Sequence, residues 1–430
     1  MRDKLGDETN KALTHRFGTN VFNVGRGINR VLARMTRDVL AQAGSQSLAR
    51  FRIGEYLLRE ADYRQVQFWA ISLSMAPELV LGQLASYKLI PDIWEDIEPI
   101  NLVIEDGAIR SLVWNYDLLP LLPNHWEDGM IIHSIGLLGT GNTAPVSWKI
   151  CLPRLKLLYC RQVPFASVDL SQVPELTQLV LCGCKLAELV LAHLPKLEAL
   201  DCGGNRLTKI DLSPVPKLEA LDCSGNRLTE LDLSPVKELL SLRCNHNLLT
   251  KLDLSPVSKL STLICERNHL VRLDLSPVSN LTRVNCIDNR LTTLTVLSMP
   301  HLTYLLCWNN ALTELLLGQM PALCELGCGK NNLTSLDLRP VPALTTLGCE
   351  DNHLSELDLS PVPKLIELFC DGNQLTNLDL SSVPELSELQ CYGNQIMSLD
   401  LSPLRELACL WCDESVDIKN APTDLALEKV

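Results

Sequence analysis

Aromatic side chains are scarce in this chain, which has seven Trp, seven Tyr and six Phe in 430 residues. With few rings to stack, the interior has to be filled by aliphatic residues, and Leu dominates the composition. Long apolar runs are missing as well. No stretch approaches the ~18 uninterrupted apolar residues of a membrane helix, so no membrane span is expected. The opening MRDKLGDETNKALTHRFG has neither an apolar core region nor a small-residue cleavage site, so no Sec-type signal is expected. Positive charge is in deficit, with a formal net charge of -13. The first 75 residues carry 12 basic and 7 acidic side chains, which leaves 26 basic and 44 acidic for the remainder. An acidic remainder excludes general binding to phosphate backbones, so nucleic acid is not an expected partner. Catalytic templates fail too. HExxH and GxSxG do not occur, and the glycines from Gly136 to Gly141 lack the lysine of a phosphate loop. His15, His125 and His133 stand alone, so the chain is not expected to be an enzyme or to carry a cofactor or metal.

What the sequence does have is cysteine, seventeen in all, and most of it on a fixed period. Cys202, Cys223, Cys244, Cys265, Cys286, Cys307, Cys328, Cys349, Cys370, Cys391 and Cys412 recur every 21 residues. Three residues after each of the first ten comes an asparagine: Asn205, Asn226, Asn247, Asn268, Asn289, Asn310, Asn331, Asn352, Asn373 and Asn394. Self-similarity at a short fixed period predicts a solenoid, in which one small unit stacks on its copies.

One clean unit runs Leu218, Leu221, Cys223, Asn226, Leu228, Leu231, Leu233, followed by Ser-Pro-Val. Leu221 and Cys223 are two apart, so in a strand both point inward while Asp222 points out. Each repeat is predicted to give one short strand, pairing in parallel with the next. Leu228, Leu231 and Leu233 close the interior, and Pro turns the chain on the outer side, where an α-helix has no room. Equivalent cysteines then lie about 4.8 Å apart. They point the same way, which favours packing as small buried hydrophobes over disulfide bridging. A ladder of free thiols fits a reducing compartment. The asparagine amides are expected to bond the backbone groups left unpaired where the strand ends.

The pattern LxxLxCxxNxLxxLDL resembles the 21-residue bacterial subclass of leucine-rich repeats, and is similar to the repeat region of internalins that carry a cysteine ladder. The resemblance covers about 260 residues and implies a parallel inner sheet with an extended or 3₁₀ outer face. It also implies a recognition scaffold, and a bacterial source.

The predicted organisation is a helical region over 1–95, a mixed strand and loop capping segment over 96–152, a solenoid of about 12–13 repeats over 153–415, and a tail over 416–430. Within the first region, Ile28, Val31, Leu32, Met35 and Val39 recur at helical spacing, with Arg26, Arg30, Arg34 and Arg37 on the other side. That Arg stripe reads as a solvated or docking face, with an acidic lipid surface as the alternative. Further helices are predicted around 47–63 and 65–85, the latter interrupted at Pro77.

Function is expected on the variable residues that flank each inward Leu–Cys pair. A central group comprises Tyr304, Leu306 and Trp308 with Arg243, Ile264, Arg283 and Ile287, and a C-terminal group comprises Phe369, Tyr392 and Trp411 with Glu367 and Glu388. Tyr, Trp and Arg are the residue types that dominate interface energetics. The expected function is therefore a monomeric, cytoplasmic scaffold that binds a protein partner on its inner (concave) face. Two other readings stand beside it: an effector delivered into a host cell without a signal peptide, and an enzyme seated in the first 150 residues.

Three further features have open readings. The Asp row (Asp211, Asp232, Asp253, Asp274, Asp337, Asp358, Asp379, Asp400) is a solvated outer face or a weak divalent site. The irregular stretch 294–320 is a contact face or drift. Cys409 and Cys412 form a CxxC, and Cys324 and Cys328 lie four apart, but neither has the second pair that zinc requires.

Overall fold

The computed structural model describes residues 50–53, 55–73, 75–86, 101–106, 108–115, 126 and 130–430. The helix expected over Ile28–Val39, with its Arg stripe, lies outside the described residues. The chain divides into two compact units, Met1–Cys184 and Lys185–Val430.

The first unit opens with an antiparallel hairpin of β1 (Arg50–Ile53) and β2 (Tyr56–Arg59). This corrects the helix predicted over 47–63 as far as residue 59; its last residues, 60–63, are helical. Ile53 pairs with Tyr56 across the sequence Gly54-Glu55, a composition that two-residue hairpin turns favour. Ile53 and Leu58 go inward while Phe51 and Leu57 stay exposed, as strand alternation allows. Two helices follow, α1 (Glu60–Leu73) and α2 (Pro77–Ala85). Pro77 occupies the first turn of α2, where its missing N–H costs nothing, so the expected interruption becomes a helix start.

Beyond the helices come β3 (Val103–Glu105), β4 (Ala108–Asn115), β5 (Ser134–Leu138), β6 (Val146–Lys149), β7 (Leu157–Arg161), β8 (Phe165–Asp169) and β9 (Gln178–Cys182). β4, β5, β7 and β9 form a parallel ladder, with β3 antiparallel along its edge. β6 and β8 pair separately. α1 seals this unit from the side. Trp69 meets Trp114 of β4 edge-on at 5.1 Å, and buried Asp62 accepts a hydrogen bond from the Ile109 N–H at 2.9 Å. Arg59 pairs with the same carboxylate at 3.2 Å, so this buried charge has partners.

The second unit is the period made visible. Three-residue strands recur at Ala199–Asp201, Ala220–Asp222, Ser241–Arg243, Thr262–Ile264, Arg283–Asn285 and Tyr304–Leu306. They continue at Glu325–Gly327, Thr346–Gly348, Glu367–Phe369 and Glu388–Gln390, and end at Cys409–Cys412. All pair in parallel and in a fixed register, so that Leu200 faces Leu221, Leu221 faces Leu242, and so on to Leu389 and Leu410, with Val284 in the one place where Leu is replaced. Those Leu residues and the ladder cysteines are all buried. This is a solenoid with a parallel inner ladder and no helix on its outer side, as the repeat pattern predicts.

The outer side is a run of tight turns. The Ser213 N–H donates to Asp211 Oδ1 at 2.9 Å, and the same bond recurs at Asp232, Asp253, Asp274, Asp358, Asp379 and Asp400. Hydrogen bonds hold the carboxyls of Asp211, Asp232, Asp253, Asp358, Asp379 and Asp400 below their ordinary range, so the row caps turns. Where Thr295 and Leu316 replace the Asp, the turn gives way to a second parallel pair, Thr293–Val296 with Glu314–Leu317. β-branched residues at Thr292, Thr293, Thr295 and Val296 suit that extended backbone. The last residues are also ordered into the ladder: Ala426–Lys429 pairs in parallel with Cys409–Cys412.

Candidate functional site

The ladder residues come first, because they fix where every other side chain points. Each asparagine staples two turns. Asn268 Nδ2 donates to the carbonyls of Cys244 at 3.0 Å and Cys265 at 3.1 Å, while its Oδ1 accepts the Leu249 N–H at 3.0 Å. The same three contacts recur at Asn247 and Asn352, among others. In the first unit Cys184 stands at the asparagine position. Its Sγ donates to the carbonyls of Cys160 and Cys182 at 3.5 Å, a weak version of the staple. All seventeen cysteines are free, and burial pushes up the ladder thiols from Cys223 to Cys412, Cys244 and Cys286 to about 12. Thiols in that state neither attack nor ligate readily.

The two cysteine pairs that join a ladder thiol to an off-period one, Cys324 with Cys328 and Cys409 with Cys412, do not gather metal ligands. Cys409 and Cys412 lie on one strand three residues apart, so alternation turns them to opposite faces, one half-buried and one buried. Among the described residues, no three His, Cys, Asp or Glu side chains gather as a metal ion would need.

With Leu and Cys turned inward, three positions per repeat face outward: the two beside Leu and the one after Cys. In the central group, the Arg283 guanidinium lies 4.1 Å above the Tyr304 ring on the adjacent strand. Arg243, Ile287 and Tyr304 are half-buried on the same face. Ile264, Leu306 and Trp308 are more deeply covered, with Trp308 only 9% exposed. In the C-terminal group, Glu367, Glu388, Tyr392 and Trp411 are half-buried and Phe369 is buried at 3%. Trp411 Nε1 donates to Glu428 on the final strand at 2.8 Å, which ties that indole to the end of the ladder.

Trp308 is covered because of glycine. Gly327 and Gly348 occupy the position between Leu and Cys on consecutive strands, and Gly329 follows Cys328. A Cβ on Gly327 would come within 3.1 Å of Trp308 Cδ1, so the indole rests where a side chain would otherwise stand. The Glu350 carboxylate rests over Gly329 in the same way, and its Oε2 would lie 3.1 Å from a Cβ on Gly348. Glu350 is 7% exposed, and Oε2 has no hydrogen-bond partner. Burial pushes its carboxyl up to about 7, helped by Asp371 and Asp351 and opposed by Lys330. Burial likewise raises Asp371 to about 6 against a hydrogen bond from Tyr392, and Glu325 to about 7 against Arg283.

Glu325, Glu350 and Asp371 are not among the residues the sequence reading selected. They sit at the same outward positions as Tyr304 and Trp308, displaced by whole repeats of 21, so the cysteine period could have found them. A search guided by aromatic and Arg content passes over carboxylates.

No protein-family profile matches the chain, and no curated protein sequence matches it. Solved structures do. The functional domain of InlJ from Listeria monocytogenes, which includes a cysteine ladder, is 33% identical with a TM-score of 0.53, over 63% of this chain and 63% of that one. The chain therefore spans less than two thirds of that domain. The LRR protein LIC12759 of Leptospira interrogans has a TM-score of 0.55 at 18% identity, over 69% of this chain and 90% of that one. The LRIM1/APL1C complex has a TM-score of 0.58 at 20% identity, over 74% and 60%. Identity at these last two levels speaks for the fold alone.

Proposed function

We propose that this chain, a leucine-rich-repeat solenoid of the cysteine-ladder type, is a non-enzymatic scaffold that holds a protein partner on the open face of its strand ladder. The observation that supports this reading is the Arg283–Tyr304 stack with the outward residues around it. A cation–π pair and half-covered Tyr, Trp and Ile side chains on a row of rigid strands offer area at low entropic cost. These positions are free to vary between repeats, because Leu, Cys and Asn are the residues committed to the interior and the staples.

The same reading takes the chain as a monomer in a reducing compartment, consistent with seventeen free thiols. Capture of a partner by the full chain tests it. Arg283→Ala with Tyr304→Ala should release the partner while leaving the thermal midpoint nearly unchanged, since both side chains lie outside the Leu–Cys interior. Trp308→Ala is a poorer probe, because its ring fills the space over Gly327 and its loss would disturb the strand ladder itself.

A further inference from the structure

From Glu325 to Tyr392 the open face changes sign. Its outward and turn positions carry Glu325, Glu350, Asp351, Glu367, Asp371 and Glu388 against the single Lys330. The preceding strands differ, with Arg243, Arg267 and Arg283 set against Glu266 and Asp288. Like charges on neighbouring strands cost stability. Here they coincide with three glycines that open a hollow in the face, and with a carboxylate laid into that hollow with one oxygen unpartnered. A buried acceptor without a donor is a standing cost of the free protein that a bound donor would remove.

Resting on the reading of the open face as a partner site, we infer that this stretch recognises a cationic group, a Lys or Arg side chain of the partner protein, between Trp308 and Tyr392. The ammonium or guanidinium supplies the donor that Glu350 Oε2 lacks. Glu350 reaches it by turning out of the glycine hollow, where no Cβ on Gly327, Gly329 or Gly348 obstructs the carboxylate. Asp371, already accepting from the Tyr392 hydroxyl, and the half-buried Glu325 and Glu367 complete the negative surround. The half-buried Tyr392 ring beside Asp371 supplies a face against which an aliphatic stem or guanidinium plane can lie. Charge-assisted bonds formed in such a partly desolvated place are the strong ones.

The test uses the full chain and two fluorescent probes, an arginine–glycine repeat peptide and its glutamate–glycine counterpart, read by anisotropy at near-physiological salt. The basic probe should bind and the acidic one should not. Glu350→Gln with Asp371→Asn should weaken the basic probe by about tenfold or more. Asp337→Asn with Asp358→Asn removes the same charge from the outer turns and should leave binding unchanged. Glu367→Lys, at a half-buried position that tolerates exchange, should weaken it as well. Failure of the wild type to bind the basic probe overturns the inference, and so does equal weakening by the outer-turn pair. A partner protein that is lost on Arg283→Ala with Tyr304→Ala but indifferent to Glu350→Gln with Asp371→Asn would remove this inference alone.

Discussion

Asn268 Nδ2 lies 3.0 Å from the carbonyl oxygen of Cys244, a residue one whole turn of the solenoid away. That single bond, repeated along the array, is what converts a sequence period into a stack with one register. Asn268 is 3% exposed, so nothing in solvent can take over its contacts. Asn268→Ala would leave the buried Leu249 N–H without its acceptor, at about 1–3 kcal/mol, while the carbonyls of Cys244 and Cys265 would each lose one donor and keep that of Asn247 and Asn289 respectively. A loss on the order of 3 kcal/mol in denaturant unfolding is expected. A loss below about 1 kcal/mol would show that the staples are dispensable.

The thiols give a second expectation. Cys151 is exposed, Cys182, Cys324 and Cys409 are half-buried, and the other thirteen are buried. A thiol reagent added to the native chain should label Cys151 first and the half-buried three slowly. All seventeen should react after unfolding without reductant. A total well below seventeen would mean that cysteines are bridged, and would contradict both the packing role and the reducing compartment.

Acid should stabilise the second unit over a defined window. Glu325, Glu350 and Asp371 have folded-state values raised to about 7, 7 and 6 from ordinary values near 4 to 4.5. Between those limits the folded chain holds protons that the unfolded chain has released, so stability falls as pH rises from about 4.5 to 7. The charged groups facing Glu350 are Asp371, Asp351 and Lys330; a backbone hydrogen bond and the lysine oppose the effect of burial, and the two aspartates add to it. Asp211, Asp232, Asp253, Asp358, Asp379 and Asp400 on the outer turns work in the opposite sense, but only below about pH 4, where their depressed carboxyls would begin to protonate. The thermal midpoint should therefore be higher near pH 5 than near pH 8. Glu350→Gln should recover on the order of 2 kcal/mol at the higher pH and little at the lower one. An equal or higher wild-type midpoint near pH 8 would contradict this account of the buried carboxyls.

Much of the fold was legible because Leu221, Cys223 and Asn226 each have one job at one position, and eleven cysteines repeat it without a slip. Strand alternation and the staples follow from spacing alone. The hairpin at Arg50–Arg59 was not legible, since RFRIGEYLLR carries apolar residues at spacings that suit either a helix or a strand. The pairing of Thr293–Val296 with Glu314–Leu317 depends on what happens when the turn-capping Asp is absent, which only the backbone reveals. For the open face, the period located every outward position. It could not say that Trp308 would sink over Gly327, or that Glu350 would lie unpartnered over Gly329, because both depend on what the neighbouring strand fails to supply.

The central claim is that the open face of the ladder, and not the outer turns, holds the partner. The most direct measurement is quantitative capture of one identified partner by three forms of the full chain: wild type, Arg283→Ala with Tyr304→Ala, and Asp253→Ala with Asp274→Ala on the outer turns. Loss with the first pair and retention with the second is the expected result. Retention with the first pair and loss with the second would place recognition on the outer side and contradict the account.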